Sequence, residues 1–298
     1  MILGRRRSAI EPLGIAVDTA SVFDVTHRIH AFRLRGVGDD SAMHQSTFPQ
    51  EAQLRARPTL SVLLEGRVSL RLGTTTHRLS AGDAYLIPAK SAYGWRLEPD
   101  VAGISFAWNV DADAAGEVRL FRVEAQALEV LRCTTARLFD ESSAVDPKTA
   151  ENIHASICDA LRAIAPEIES PARTRCVPEY LALSRAIDRR LSDLAAEPMQ
   201  IELQDELGIA ERTLRRITTE MFQRYGFVDS KWVDARTRRR LTTAVAFLSH
   251  PNTTVTQVAR AVGYHSPQAM SRAFARAGYP PPAQIREHFA ELGRAESA

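Results

Sequence analysis

The chain has 298 residues, 45% hydrophobic and 25% charged, which is enough apolar material for two ordinary globular domains and excludes disorder as an overall description. It contains no apolar run of about 18 residues, and MILGRRRSAIEPLG at the start has no apolar stretch after its basic residues; neither a membrane span nor a secretory signal is expected, and a cytoplasmic location is. The net charge of +2 hides an asymmetry: residues 1–171 carry 19 Lys+Arg against 22 Asp+Glu, and residues 172–298 carry 19 against 14. The later bases are almost all Arg, the side chain suited to phosphates and base edges.

From about Val22 to Ala107 the pattern is that of short strands. TLSVLLEGRVSLRLG alternates around a turn at Glu65 and Gly66, and THRLSAGDAYLIPAKSAYGW turns between Ser80 and Asp83, giving two successive hairpin-like units. Period-two alternation in Val68, Leu70 and Leu72, and the run Tyr85–Ile87 stopped by Pro88, suit a small β-barrel or jelly roll.

The period then lengthens. Leu128, Leu131, Thr135, Leu138 and Phe139 form one helical stripe and Ile153, Ile157, Leu161 and Ile164 another, separated by ESSAVDP. Two amphipathic helices within about 120–165 follow, packed on the barrel or on a second subunit. Cys133, Cys158 and Cys176 are too scattered for a zinc site or a disulfide framework, and free packed thiols are expected. APEIESPARTRCVPEY, with three prolines, reads as a linker, which divides the chain into domains at 1–171 and 172–298.

The most informative feature is an internal repeat. LQDELGIAERTLRRI and VARAVGYHSPQAMSRAF place apolar residues five and one positions before a glycine: Leu203 and Leu207 before Gly208, Val258 and Val262 before Gly263. After each glycine comes a short turn and a second helix, with Leu214 and Ile217, or Met270 and Phe274, turned inward. Helix, glycine turn and arginine-bearing helix is the plan of a helix-turn-helix, here expected at about 201–222 and 254–277; an αα-hairpin with a solvated face is the plainer alternative for either copy alone. Between them SKWVDARTRRRLTTAVAFLSH reads as a helix of about 20 residues, roughly 30 Å long, with Leu241, Ala244, Val245 and Leu248 on one face. That is close to the ~34 Å turn of B-DNA. Arg236, Arg238, Arg239 and Arg240 on this connector are either phosphate contacts or a solvated face.

From about Glu179 to Phe289 the chain resembles the DNA-binding domain of the AraC/XylS family of transcription regulators, through LSHPNTTVTQVARAVGYHSPQAMSRAF, DELGIAERTLRRI and PPPAQIREHF. Carried over position by position, the resemblance implies base contacts from Arg212, Arg215 and Arg216 and from Gln268, Ser271 and Arg272. Thr213, His265 and Ser266 are better suited to phosphates or helix capping. The sequence departs from the pattern at Ala210, where a Ser cap is usual, at QRYGFVDS after Phe222, and at Gly278-Tyr279, where Phe-Gly is common.

In this family the attached domain is often a cupin-like jelly roll that binds a small effector, and LLEGRVSLRLG with LSAGDAYLIPAKSAYGW resembles it. Enzymatic cupins use an H-x-H pair with a later His; here Ser46 stands two positions after His44, and Tyr93 stands where the later His is expected. No metal, cofactor or catalysis is therefore expected. His44, Tyr85, Tyr93 and Trp95 are the candidate effector contacts.

The expected fold is α+β, a cupin-like barrel with helices followed by an all-α domain with two helix-turn-helix units. The expected function is effector-controlled transcription regulation, with activation the commoner outcome in such proteins; the partners are double-stranded promoter DNA, RNA polymerase, a small-molecule effector and a second copy of the chain. A metal-dependent cupin enzyme with an appended helical module and a regulator without effector are the alternatives.

Overall fold

A computed structural model of the chain describes residues 2–23, 27–44, 58–88, 93–108, 118–139, 147–165, 177–196, 199–224 and 231–297. Most of the expected linker, 166–176 with Cys176, and the segments 140–146 and 225–230 lie outside these residues.

The strands are β1 (Ile2–Ile10), β2 (Ile15–Phe23), β3 (His27–Arg35), β4 (Asp39–Asp40), β5 (Thr59–Glu65), β6 (Arg67–Leu72), β7 (Thr75–Ser80), β8 (Asp83–Ile87), β9 (Gly94–Leu97), β10 (Ala102–Trp108) and β11 (Arg119–Arg122). They form a seven-stranded sheet, β1-β2-β3-β10-β5-β8-β11, and a four-stranded sheet, β4-β9-β6-β7. The fold class is the expected one, with two corrections inside it.

First, the strands start at Ile2 rather than near Val22. The signal was hidden because β1 carries Arg5, Arg6 and Arg7 in succession, which erases polar–apolar alternation in a ribbon that borders a cavity on each face. Second, the Gly66 and Gly82 turns are not hairpins. β5 and β8 belong to the large sheet and β6 and β7 to the small one, so both turns carry the chain between sheets, while the hairpin within this stretch is β6–β7. Gly66 (φ +76°) and Gly82 (φ +89°) make these corners in the left-handed region that glycine tolerates.

β5 explains why its sequence is a nearly continuous apolar run. Leu60, Val62 and Leu64 face one core and Leu63 the other, so both faces of the strand are covered. The first core lies beneath α1 (Ala125–Phe139) and α2 (Pro147–Ile164), which bury Leu131, Leu138, Ile153, Ile157 and Leu161 against the large sheet. The two stripes thus pack on the barrel of their own chain. Cys158 is buried as expected, but Cys133 is not: it is exposed one position off the Thr134–Leu138 stripe. Its thiol donates to Glu129 at 3.3 Å, and that hydrogen bond, chiefly, raises its pKa.

The remaining helices are α3 (Pro178–Ser192), α4 (Gln200–Leu207), α5 (Glu211–Arg224), α6 (Trp232–Leu248), α7 (Val255–Ala261), α8 (Pro267–Arg276) and α9 (Pro282–Ser297). Their common core contains Leu203, Leu214, Phe247, Val258, Met270, Phe274 and Ile285, and also Ile15, Val17, Leu34 and Val37 from the sheet side. β2 and β3 therefore show one face to this core and the other, through Ala20, Val22, Ile29 and Ala31, to α1 and α2. No described helix is long and apolar enough to cross a membrane.

Candidate functional site

Each repeated unit folds as its pattern predicts. Leu203 is fully buried, Gly208 ends α4 at φ +63°, and Leu214 and Ile217 anchor α5. In the second copy Val258 and Val262 are buried, Gly263 turns at φ +78°, and Met270 and Phe274 anchor α8. The inward residues fix which face of the second helix is left to solvent. On α5 that face carries exposed Arg212, Arg215 and Arg216, with Thr213 half-buried; on α8 it carries exposed Gln268 and Arg272, with Ser271 half-buried.

The units differ in how they are held. Ser266 accepts from the backbone N–H of Ala269 at 3.1 Å, and Thr254 and Gln257 form a reciprocal capping box on α7. Ser266 is therefore a helix cap, and His265 beside it is exposed. Ala210 accepts the first α5 bond from Leu214 N–H through its carbonyl, 3.0 Å, but has no side-chain acceptor to offer. Ser271 donates to the Pro267 carbonyl at 2.9 Å, which leaves its oxygen as an acceptor. On α5, Arg215 pairs with Glu211 and Arg216 with both oxygens of Glu220 at 2.9 Å. These are exposed i,i+4 pairs worth about 0.3–0.5 kcal/mol, readily exchanged for phosphates or base edges.

The connector α6 has 17 residues, about 25 Å, somewhat shorter than the sequence suggests. Leu241, Ala244, Val245 and Leu248 are buried as expected. Two of its arginines are engaged within the chain. Arg240 donates to the carbonyls of Val262, at 2.6 Å, and Gly263, and stacks on Tyr264 at 3.8 Å, so it clamps the turn of the second unit. Arg239 is 9% exposed and reaches Ser8 Oγ at 3.3 Å across the sheet boundary; burial, with Arg6 nearby, lowers its pKa to about 9.

A second candidate site is a cavity of about 390 Å³ between the sheets and the helical half. Tyr85, Tyr93 and Trp95 all line it, as do Val17, Phe32 and Leu34 from β2 and β3 and Ile187, Met221 and Phe222 from α3 and α5. Tyr93 and Trp95 stand with ring centroids 5.7 Å apart. His44 ends the short 3-10 turn Ser41–His44, and its side chain lies outside the described residues.

The polar lining of this cavity includes Arg6, Arg28, His30, Asp188 and Arg239, none of which the sequence pattern marks as a pocket residue. Asp188 had a readable signal: it falls on the buried stripe of α3 formed by Tyr180, Leu183, Ile187 and Leu191. Burial raises its pKa, against the opposing pull of Arg6. Among the described residues no group of three or more His, Cys, Asp or Glu is placed to hold a metal.

Residues 203–288 match the family model for a helix-turn-helix domain. No curated protein matches the chain. Among solved structures, the AraC-like transcriptional activator CuxR is similar at 16% identity and TM-score 0.37, over 79% of this chain and 83% of that one. ToxT from Vibrio cholerae O395 is similar at 10% identity and TM-score 0.36, over 88% and 98%. An RmlC-like cupin from Shewanella frigidimarina is similar at 14% identity and TM-score 0.25, over 33% and 79%.

Proposed function

From the premise that residues 203–288 are an AraC-type helix-turn-helix domain, a DNA-binding module of transcription regulators, we propose that this chain is a sequence-specific regulator of bacterial type whose DNA binding is controlled by a small molecule. The observation that carries the reading is the pair of glycine-turned units, each with its apolar residues buried and its arginines on the opposite, exposed face. Arg212, Arg215 and Arg216 on α5 and Gln268, Ser271 and Arg272 on α8 read bases; Arg pairs with guanine O6 and N7, and Gln with adenine. Thr213 and His265 approach phosphates.

The effector occupies the 390 Å³ cavity, a size suited to a small organic ligand. Tyr85, Tyr93 and Trp95 contact it from the barrel, and α3, α5 and α6 contact it from the helical half. A ligand there touches both halves, so it has different affinities for different dockings of residues 1–171 against 172–298, which is what control requires. The chain is cytoplasmic, not an enzyme, and acts as an activator with RNA polymerase, as a homodimer.

Mapping the chromosomal sites occupied by the full chain tests this reading. Discrete sites next to promoters are expected, with occupancy changing when the effector is supplied. Even occupancy along the chromosome would contradict it.

A further inference from the structure

A second cavity, of about 460 Å³, opens on the other side of the β1–β3 ribbon. It is lined by Arg5, Arg6, Arg7, Arg33, Arg35 and Arg189, with Asp18 the one acid in its wall, and Phe139 at the end of α1. Strand register explains the convergence. Arg7, Asp18 and Arg33 lie side by side across β1, β2 and β3, and Arg5 and Arg35 share their face two positions along.

Most of these charges are spoken for locally. Arg35 donates to Asp18 at 2.9 Å, Arg7 to Glu11 at 3.2 Å and Arg6 to Asp188 at 2.7 Å, and Arg189 pairs with Glu206. Arg33 is different. Its guanidinium stacks on the Phe139 ring at 4.9 Å, it has no acidic partner among the described residues, and its buried Nε has no hydrogen-bond partner. The buried Nε of Arg35 is likewise unsatisfied. Like charges held this closely around one carboxylate raise the energy of the folded chain, and an unmade buried hydrogen bond adds to it. An arriving anion with several acceptor oxygens relieves both.

The geometry points to a binding site for a small phosphate-bearing organic molecule. Guanidinium forks match phosphate oxygens two at a time, and the cavity is large enough for more than a bare phosphate. The site shares Arg6 and Thr19 with the first cavity but none of its aromatic lining, and it stands independently of the DNA-binding reading.

The test is calorimetric titration of the full chain with pyrophosphate, orthophosphate and citrate at constant ionic strength, for the wild type and for Arg33→Gln. Melting of each unliganded protein is followed in parallel. Pyrophosphate is expected to bind saturably and more tightly than orthophosphate. Arg33→Gln should weaken it at least about tenfold while leaving the melting temperature unchanged or raised, because no ion pair is lost. Tyr93→Phe, in the other cavity, should leave it within about twofold. Absence of saturable binding, an unchanged affinity in Arg33→Gln, or a preference for citrate would overturn the assignment. So would a loss in Arg33→Gln seen only when a random-sequence DNA duplex replaces pyrophosphate in the same titration, which would mark a backbone-contacting surface instead.

Discussion

Arg6 of β1 and Asp188 of α3 meet at 2.7 Å across the boundary between the sheet and the helical half. The Asp188 side chain is 10% exposed and the Arg6 side chain 31%. Removing one member of such a pair leaves the other buried without its counter-charge. Arg6→Met is expected to destabilise the chain by about 3 kcal/mol. Asp188→Asn should cost less, because burial already pushes this carboxyl toward its neutral form. Urea unfolding of both variants measures the difference; equal costs would contradict it.

Arg239 sets a pH dependence of definite sign. Its folded pKa is lowered to about 9, well below the ordinary guanidinium range, first by burial. A base with a lowered folded pKa contributes stability that is present above the unfolded value and lost as pH falls through the folded one. At pH 7 Arg239 is therefore held charged at a cost, and Arg239→Met is expected to melt higher by about 2–4 °C, corresponding to about 1 kcal/mol. The advantage of the variant should shrink as pH rises from about 8 to 11. A difference between wild type and variant that stays flat across that range would contradict the assignment.

The two turn glycines should tolerate alanine unequally. A Cβ at Gly208 meets nothing within 4 Å, so Gly208→Ala costs only the left-handed backbone, about 1–2 kcal/mol. At Gly263 a Cβ falls 2.0 Å from the Leu194 carbonyl oxygen, and the loss should reach about 4 kcal/mol or more. Thermal or denaturant melting decides this, and comparable losses would refute it.

Helix capping gives a paired prediction. Ser266→Ala removes the acceptor for Ala269 N–H and should cost about 1 kcal/mol, while Ala210→Ser supplies the missing acceptor at α5 and should stabilise by a similar amount. Melting of the full-length variants checks both signs.

What the sequence made legible was local. Leu203, Gly208 and Leu214, and Val258, Gly263 and Met270, announce the two units because helix periodicity and a left-handed turn depend on near neighbours. Tyr85, Tyr93 and Trp95 stand out in the sequence as aromatic side chains of the barrel segment, and all three line one cavity. What stayed hidden was set by distant partners. Arg239 and Arg240 look like part of one basic run, yet one is buried against β1–β2 and the other clamps the Val262–Gly263 turn. The hairpin reading of β5–β6 failed because a tight glycine turn is equally good for pairing two strands and for passing between two sheets.

Base reading by α5 and α8 is tested by selection of sites from a random duplex library at about 0.15 M salt, using the full chain as wild type and as Arg272→Ala. An enriched sequence of two parts about 10 base pairs apart is expected, with Arg272→Ala losing roughly 1–3 kcal/mol of preference at one position of one part and keeping the other. Equal affinity for enriched and random duplex, or uniform weakening of all sequences by Arg272→Ala, would contradict it.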